Sequence, residues 1–294
     1  MTKIKSIHCF GTSFTAGGGF EFESISGDRY ETLSSFYMYS NENLTQYNFS
    51  YPGQLQKLLG ENFKVYNHGK NGYGNEMVYR KIYDTISDSK FNSDENVFLI
   101  EFSGLGRKEF WSNVINDYII VNYKINWETE TYDSIMGIAN SYWYDSDETH
   151  NLLLNEYDFF DQFFKKTFDL NSVINQMDMN MKYLISYLKY NNIKFYIMTE
   201  PLSNEDNDFI KFGDGKYFKI TNSFTDFSYK NKLRITDETD GGIIDDHNGL
   251  IANKIISEIV YNKLIDDFLI SSEKIKIDWV GYKNSKKFTN TKIL

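Results

Sequence analysis

The run Val97-Phe98-Leu99-Ile100 constrains this chain more than any other feature, because consecutive side chains of an extended strand point to opposite faces and here both faces are apolar. A strand with two apolar faces belongs in a sheet covered on both sides, the arrangement of parallel sheets wrapped by helices. The third strand predicted here spans Asn96 to Phe102. The rest of the chain is then a search for its partner strands and its cover.

The partners are short and the covering segments are helical. Lys3 to Phe10 alternates briefly and becomes continuously apolar, which predicts a first strand broken by Gly11-Thr12-Ser13. Residues 14–50 are rich in Gly, Ser, Asn and Tyr and predict a long loop with a short helix near Tyr30 to Tyr39. Gln54 to Gly60, with Pro52 ahead and glycine at the end, predicts a short helix. Phe63 to Tyr66 predicts the second strand, and Asn75 the cap of a helix carrying Met77, Val78, Ile82 and Tyr83 on one face.

From Leu170 to Asn191, Val173, Ile174, Met177, Met181, Leu184, Ile185 and Leu188 recur at helical spacing, a core stripe leading directly into a fourth strand, Ile193 to Thr199, ended by Pro201. Gly249 to Phe268 predicts a last helix through Ile251, Ile255, Ile256, Ile259 and Leu264. This strand and helix alternation predicts one α/β domain over 1–270, a three-layer parallel sheet with helices on both faces. Two insertions interrupt it. Residues 103–170 mix aromatic and acidic side chains and predict helices over one rim; residues 202–243 form a polar excursion. The tail, 271–294, is rich in Lys and Ser and is compatible with a partly disordered segment or a final edge strand.

Charge and composition narrow the partners. With 31 basic against 41 acidic residues the net charge is −10, which repels phosphate backbones and anionic membranes and argues against both as partners. Cys9 is the one cysteine, so no internal disulfide forms, and its apolar neighbours predict a buried small hydrophobe. No apolar run approaches the ~18 residues of a membrane span, and Met1 to Phe10 is too short and broken by His8 for a signal peptide. The expectation is a cytoplasmic protein, or one assembled into a particle made there.

Functional sites of parallel sheets gather at the carboxyl ends of the strands. Three segments lie there. Ser13 follows the first strand, where a turn into a helix exposes the hydroxyl and sets its own N–H beside a reacting carbonyl, although a Gly-Thr-Ser turn is also an ordinary turn. Asn67-His68-Gly69-Lys70-Asn71-Gly72 follows the second strand; its glycines let backbone amides face inward as oxyanion donors, alongside the Asn67 side chain. Ile244-Asp245-Asp246-His247-Asn248 is predicted as a turn before the last helix, where His247 can take a hydroxyl proton and a carboxylate can orient its ring.

A serine turn, an Asn-x-Gly-x-x-Gly loop and an acidic histidine segment in this order resemble the SGNH (GDSL-type) hydrolase family. The resemblance implies a flavodoxin-like sheet, a serine esterase acting without metal or organic cofactor, Ser13 as nucleophile, Asp245 and His247 as its partners, and an oxyanion hole from the amides of Ser13 and Gly72 with Asn67. The family's Gly-Asp-Ser is Gly11-Thr12-Ser13 here, and the Asn of its third block is missing from Phe102-Ser103-Gly104-Leu105-Gly106-Arg107. Arg107, His68 and Asn71 border the implied hole and are candidate substrate contacts. The family's commonest Asp-x-x-His spacing would need an Asp at Ile244, so Asp245, in an Asp-x-His spacing, takes that place.

The implied substrate is an acyl ester, an acetylated glycan or a small molecule, with acyl transfer to a sugar hydroxyl as a variant. The competing reading is a structural or glycan-binding protein of the same fold with weak catalysis, placed in a phage particle or a homo-oligomer. His8 is expected to be a satisfied core residue. His150, beside Asp145, Asp147 and Glu148, hints only weakly at a cation site. The aromatic set Trp111, Tyr118, Tyr123, Trp127, Tyr132, Tyr142, Trp143 and Tyr144 either stacks on sugar rings or fills a core.

Overall fold

The computed structural model describes residues 4–17, 47–48, 50–70, 72, 74–113, 116–140, 156–198, 234–236, 243–248, 250–267 and 269–278. The expected helix near Tyr30 to Tyr39, His150, Asn71, Tyr142 to Tyr144, most of 202–243 and the end of the tail lie outside them.

Four strands form a parallel sheet: β1 (Ser6–Phe10), β2 (Lys64–Asn67), β3 (Asn96–Ile100) and β7 (Lys194–Ile197), in the order β2-β1-β3-β7. β1 lies between β2 and β3, with Ile7 opposite Val65 on one side and Val97 on the other. The two apolar faces of β3 have the predicted consequence. Val97 and Leu99 join Ile7, Cys9, Tyr196 and Met198 in a core closed by helices α2 (Tyr51–Leu59) and α6 (Leu250–Asp266). Phe98 and Ile100 join Phe10 and Ile197 in a second core closed by α3 (Asn75–Ser87) and α5 (Leu170–Tyr190). Helix therefore covers the sheet on both faces. Each fully buried Leu, Ile or Phe in these layers is worth about 1.5–3 kcal/mol of transfer free energy.

Local chemistry sets the helix ends. The Ser50 side chain caps α2 by accepting from the Gly53 amide, Pro52 sits in its first turn, and Gly60 leaves it with a φ of +70°. Asp169 caps α5, accepting from the Ser172 amide at 2.8 Å. The stripe predicted for α5 is the one observed: Met177, Met181, Leu184 and Leu188 are buried in the second core.

Residues 103–170 depart from the helical insertion expected of them. Their first part is a three-stranded antiparallel sheet, β4 (Arg107–Ser112), β5 (Asp117–Asn126) and β6 (Thr131–Asn140), and among the described residues helix α4 (Tyr157–Thr167) comes next. The cause is a period of two. Ile119, Val121, Tyr123 and Ile125 all point into the second core, where Phe160 and Phe164 of α4 meet them. The β5–β6 hairpin is closed by Asn126, whose side-chain oxygen accepts from the amides of Glu128 and Thr129. Of the aromatic set, Tyr132 stacks on Phe164 and Tyr123 packs against the same ring at a tilt, both as core, whereas Trp111 and Trp127 are half exposed.

A small antiparallel pair, β8 (Arg234–Thr236) and β9 (Ile243–Asn248), precedes α6. After α6 the chain folds back: Asn262 exchanges two 2.8 Å hydrogen bonds with the backbone of Ile275. No strand forms within residues 269–278, so the edge-strand alternative for the tail does not hold over that stretch. Among the described residues no helix is long and apolar enough to cross a membrane.

Candidate functional site

From β1 the sheet extends to β2 on one side and to β3 on the other, so the strand order reverses at the β1–β3 boundary. In open α/β sheets the crevice beyond the carboxyl ends at such a reversal is where ligands bind. Ser13 stands there as the first residue of α1 (Ser13–Ala16), three residues after β1 ends, and is 4% exposed, so the residue is buried rather than exposed as its turn position predicts.

The turn that carries Ser13 is held by a residue the sequence reading passed over. Glu101, directly after β3 and 2% exposed, accepts from the Thr12 hydroxyl at 2.8 Å, the Thr15 amide at 2.8 Å, the Thr12 amide at 3.3 Å and, more closely, the Thr15 hydroxyl. Burial pushes its carboxyl above the ordinary range, and the Thr15 and Thr12 hydrogen bonds pull it back. Gly11 is glycine because a Cβ there would lie 2.4 Å from Glu101 Oε2 and 2.2 Å from Thr15 Oγ1. The sequence signal was the single charge closing an otherwise apolar strand.

The loop after β2 presses on the same turn. A Cβ on Gly69 would lie 2.5 Å from the Ala16 amide nitrogen. Asn67 donates to the Thr15 carbonyl at 2.9 Å and to Ser50 Oγ at 3.5 Å, while its side-chain oxygen accepts from the Gly69 amide. Its amide hydrogens are thus directed at structural acceptors. Gly72 has a φ of +77°, the left-handed region that favours glycine. Asn75, predicted as the cap of α3, is instead its first residue after an N-cap at Gly74. Its side chain exchanges hydrogen bonds with the Ser103 backbone at 3.0 and 2.8 Å, fixing the loop after β3.

Arg107 opens β4 at the far side of this loop, 3.5 Å from the place a Gly74 Cβ would take. Burial lowers its affinity for the proton, and the negative charge of Glu101 raises it.

His68 is placed in a ring stack, 4.7 Å from Phe10 and 5.3 Å from His8 between centroids. Asn96 donates its amide to the Asn92 carbonyl, so its oxygen faces His8 Nε2 at 2.9 Å, and that nitrogen carries the proton. His8 Nδ1 then accepts from His68 Nε2 at 3.0 Å. His8 is the satisfied core residue expected of it. Desolvation holds His8 below its ordinary value and brings His68 down to about 4, with His8 and Lys81 adding to the effect on His68.

A histidine whose folded pKa is depressed binds fewer protons than the unfolded chain at acidic pH, so its contribution to stability is intact above about 6.5 and lost as pH falls toward about 4. His68→Gln is expected to flatten this part of the pH dependence, measured as the wild-type minus variant difference in melting temperature between pH 7 and pH 4.5.

Asp245, Asp246 and His247 lie on strand β9 rather than on the turn expected for them. The strand exists because β8 pairs with it, Ile235 opposite Asp245 and Arg234 opposite Asn248, with register shifts between. β9 runs beside α1, Cα atoms of the two elements coming within 8 Å, and leads into α6. The backbone therefore carries the acidic histidine segment to the short helix that Ser13 begins. No family model, no curated protein and no solved structure matches the chain.

Proposed function

We propose that this protein is a serine hydrolase of the SGNH type, with a flavodoxin-like arrangement of its parallel sheet, acting on an acyl ester such as an acetylated glycan or a small ester. The observation that supports this most is the convergence of Ser13, at the reversal of strand order, with the strand bearing Asp245 and His247. In this reading His247 takes the Ser13 proton, the hydroxyl oxygen attacks the ester carbonyl, and the alcohol leaves with that proton. Water then cleaves the acyl-serine, with His247 again as base. Asp245 orients the imidazole and stabilises its cation. The amides of Ser13 and Gly72 receive the negative oxygen, and Arg107 brings positive charge to the same crevice. No cofactor takes part.

Asn67, committed to Thr15, Ser50 and Gly69, is a poor third oxyanion donor, and one lost donor costs about 10²–10³ in rate. That observation favours slow turnover and keeps a second reading in view, a glycan-binding or particle protein that retains the fold. The test is hydrolysis of p-nitrophenyl acetate by wild type and Ser13→Ala. Turnover that falls by about 10³-fold or more in the variant supports the hydrolase. Wild-type turnover equal to that of Ser13→Ala rejects it in favour of the binding protein.

A further inference from the structure

We propose that Glu101 is the positioning residue of the Ser13 turn, supplying from β3 the carboxylate that a Gly-Thr-Ser turn lacks; this rests on the reading of Ser13 as nucleophile. Helix α1 has four residues, too few to hold its own geometry, and its N-cap Thr12 makes no side-chain cap bond. The Thr15 amide, third in the helix, is the one a cap ordinarily satisfies, and here Glu101 Oε2 accepts it.

A cap drawn from the helix's own sequence fixes only local conformation. A cap drawn from β3 also fixes where α1 sits on the sheet. Both carboxylate oxygens are used, Oε1 by the Thr12 hydroxyl and Oε2 by the Thr12 amide and both Thr15 donors, so the residues one before and two after Ser13 are tied to one rigid point. The amides that Glu101 takes are those of Thr12 and Thr15, not that of Ser13, which the proposed reaction uses for the oxyanion.

Glu101 contributes no atom to the reaction, so its loss is expected in kcat rather than in KM. Glu101→Gln keeps an oxygen for both amides, and its NH₂ donates to the Thr12 hydroxyl, which can turn to accept. Glu101→Ala removes every bond.

The experiment measures kcat and KM for p-nitrophenyl acetate in wild type, Glu101→Gln, Glu101→Ala and Thr15→Val, each well below its melting temperature. The expected result is a loss of about 10²-fold in kcat for Glu101→Ala, about tenfold for Thr15→Val, rescue to within about tenfold by Gln, and KM unchanged within about twofold. Should Glu101→Ala not fold, Thr15→Val and Glu101→Gln carry the test. A folded Glu101→Ala or Thr15→Val with wild-type kcat, a Glu101→Gln that loses as much kcat as Glu101→Ala is expected to, or a loss lying wholly in KM, overturns the role of Glu101 alone. A wild type without Ser13-dependent turnover overturns it together with the hydrolase reading.

Discussion

His247→Ala is expected to lower kcat/KM toward a short-chain ester by about 10⁴-fold, with most of the loss in kcat. A serine hydroxyl is a weak nucleophile until a base takes its proton, and histidine is the side chain whose ordinary pKa suits that step near neutrality. β9, the strand that carries this histidine, runs beside α1. His8 and His68 bond to each other and, through Asn96, to the strand edge, and desolvation holds both below their ordinary values. Steady-state kinetics on purified wild type and variant give the answer. A loss under about tenfold would remove His247 from the reaction.

Phe98→Ala is expected to destabilise the fold by about 4 kcal/mol, in the range of aromatic truncations in packed cores. Phe98 lies at the centre of β3, fully buried, with ring centroids of Phe10 and His8 at 4.9 and 5.4 Å and Phe91 at 5.6 Å. Truncation empties the space between the sheet and the α3–α5 layer, which rigid strands on either side cannot collapse to fill. Urea denaturation followed by far-ultraviolet circular dichroism measures the change. A loss below about 1 kcal/mol would mean that the second core is looser than its packing implies.

The parallel sheet is legible because its central strands, β1 and β3, are buried on both faces and its longest helix, α5, carries a long stripe at period 3.6. Leu170 to Asn191 was readable within a residue or two of its observed ends. The antiparallel sheet over 107–140 is hidden in the sequence because its period of two, Ile119-x-Val121-x-Tyr123-x-Ile125, is crossed by apolar residues of the opposite face such as Ile120, buried with Met77. β9 resembles a turn in sequence because Asp245, Asp246 and His247 have low strand preference. Pairing with β8 supplies the backbone partners that propensity does not reveal.

In the site, Ser13 and the loop after β2 could be read from glycine placement at strand ends. Glu101 stands out in the sequence only as the charge that closes an apolar strand; its role depends on Thr12 and Thr15, more than eighty residues away in the chain. Asn75 was legible as a helix start, but its reciprocal bonds to Ser103 arise from tertiary contact. Asn67 shows the opposite case: its place in the loop suggested an oxyanion donor, and the fold gives its hydrogens to Thr15 and Ser50.

An activated Ser13 nucleophile is captured covalently by reagents that leave ordinary serines untouched. Native protein is treated with a fluorophosphonate at neutral pH, digested, and the modified peptide is sequenced by mass spectrometry, with heat-unfolded protein as the control. One phosphonylated site is expected, on Ser13 in the peptide containing Gly11-Thr12-Ser13-Phe14, dependent on the native fold and lost in His247→Ala. Native protein that stays unlabelled at Ser13, or labels there equally after unfolding, would contradict the role of Ser13 as nucleophile.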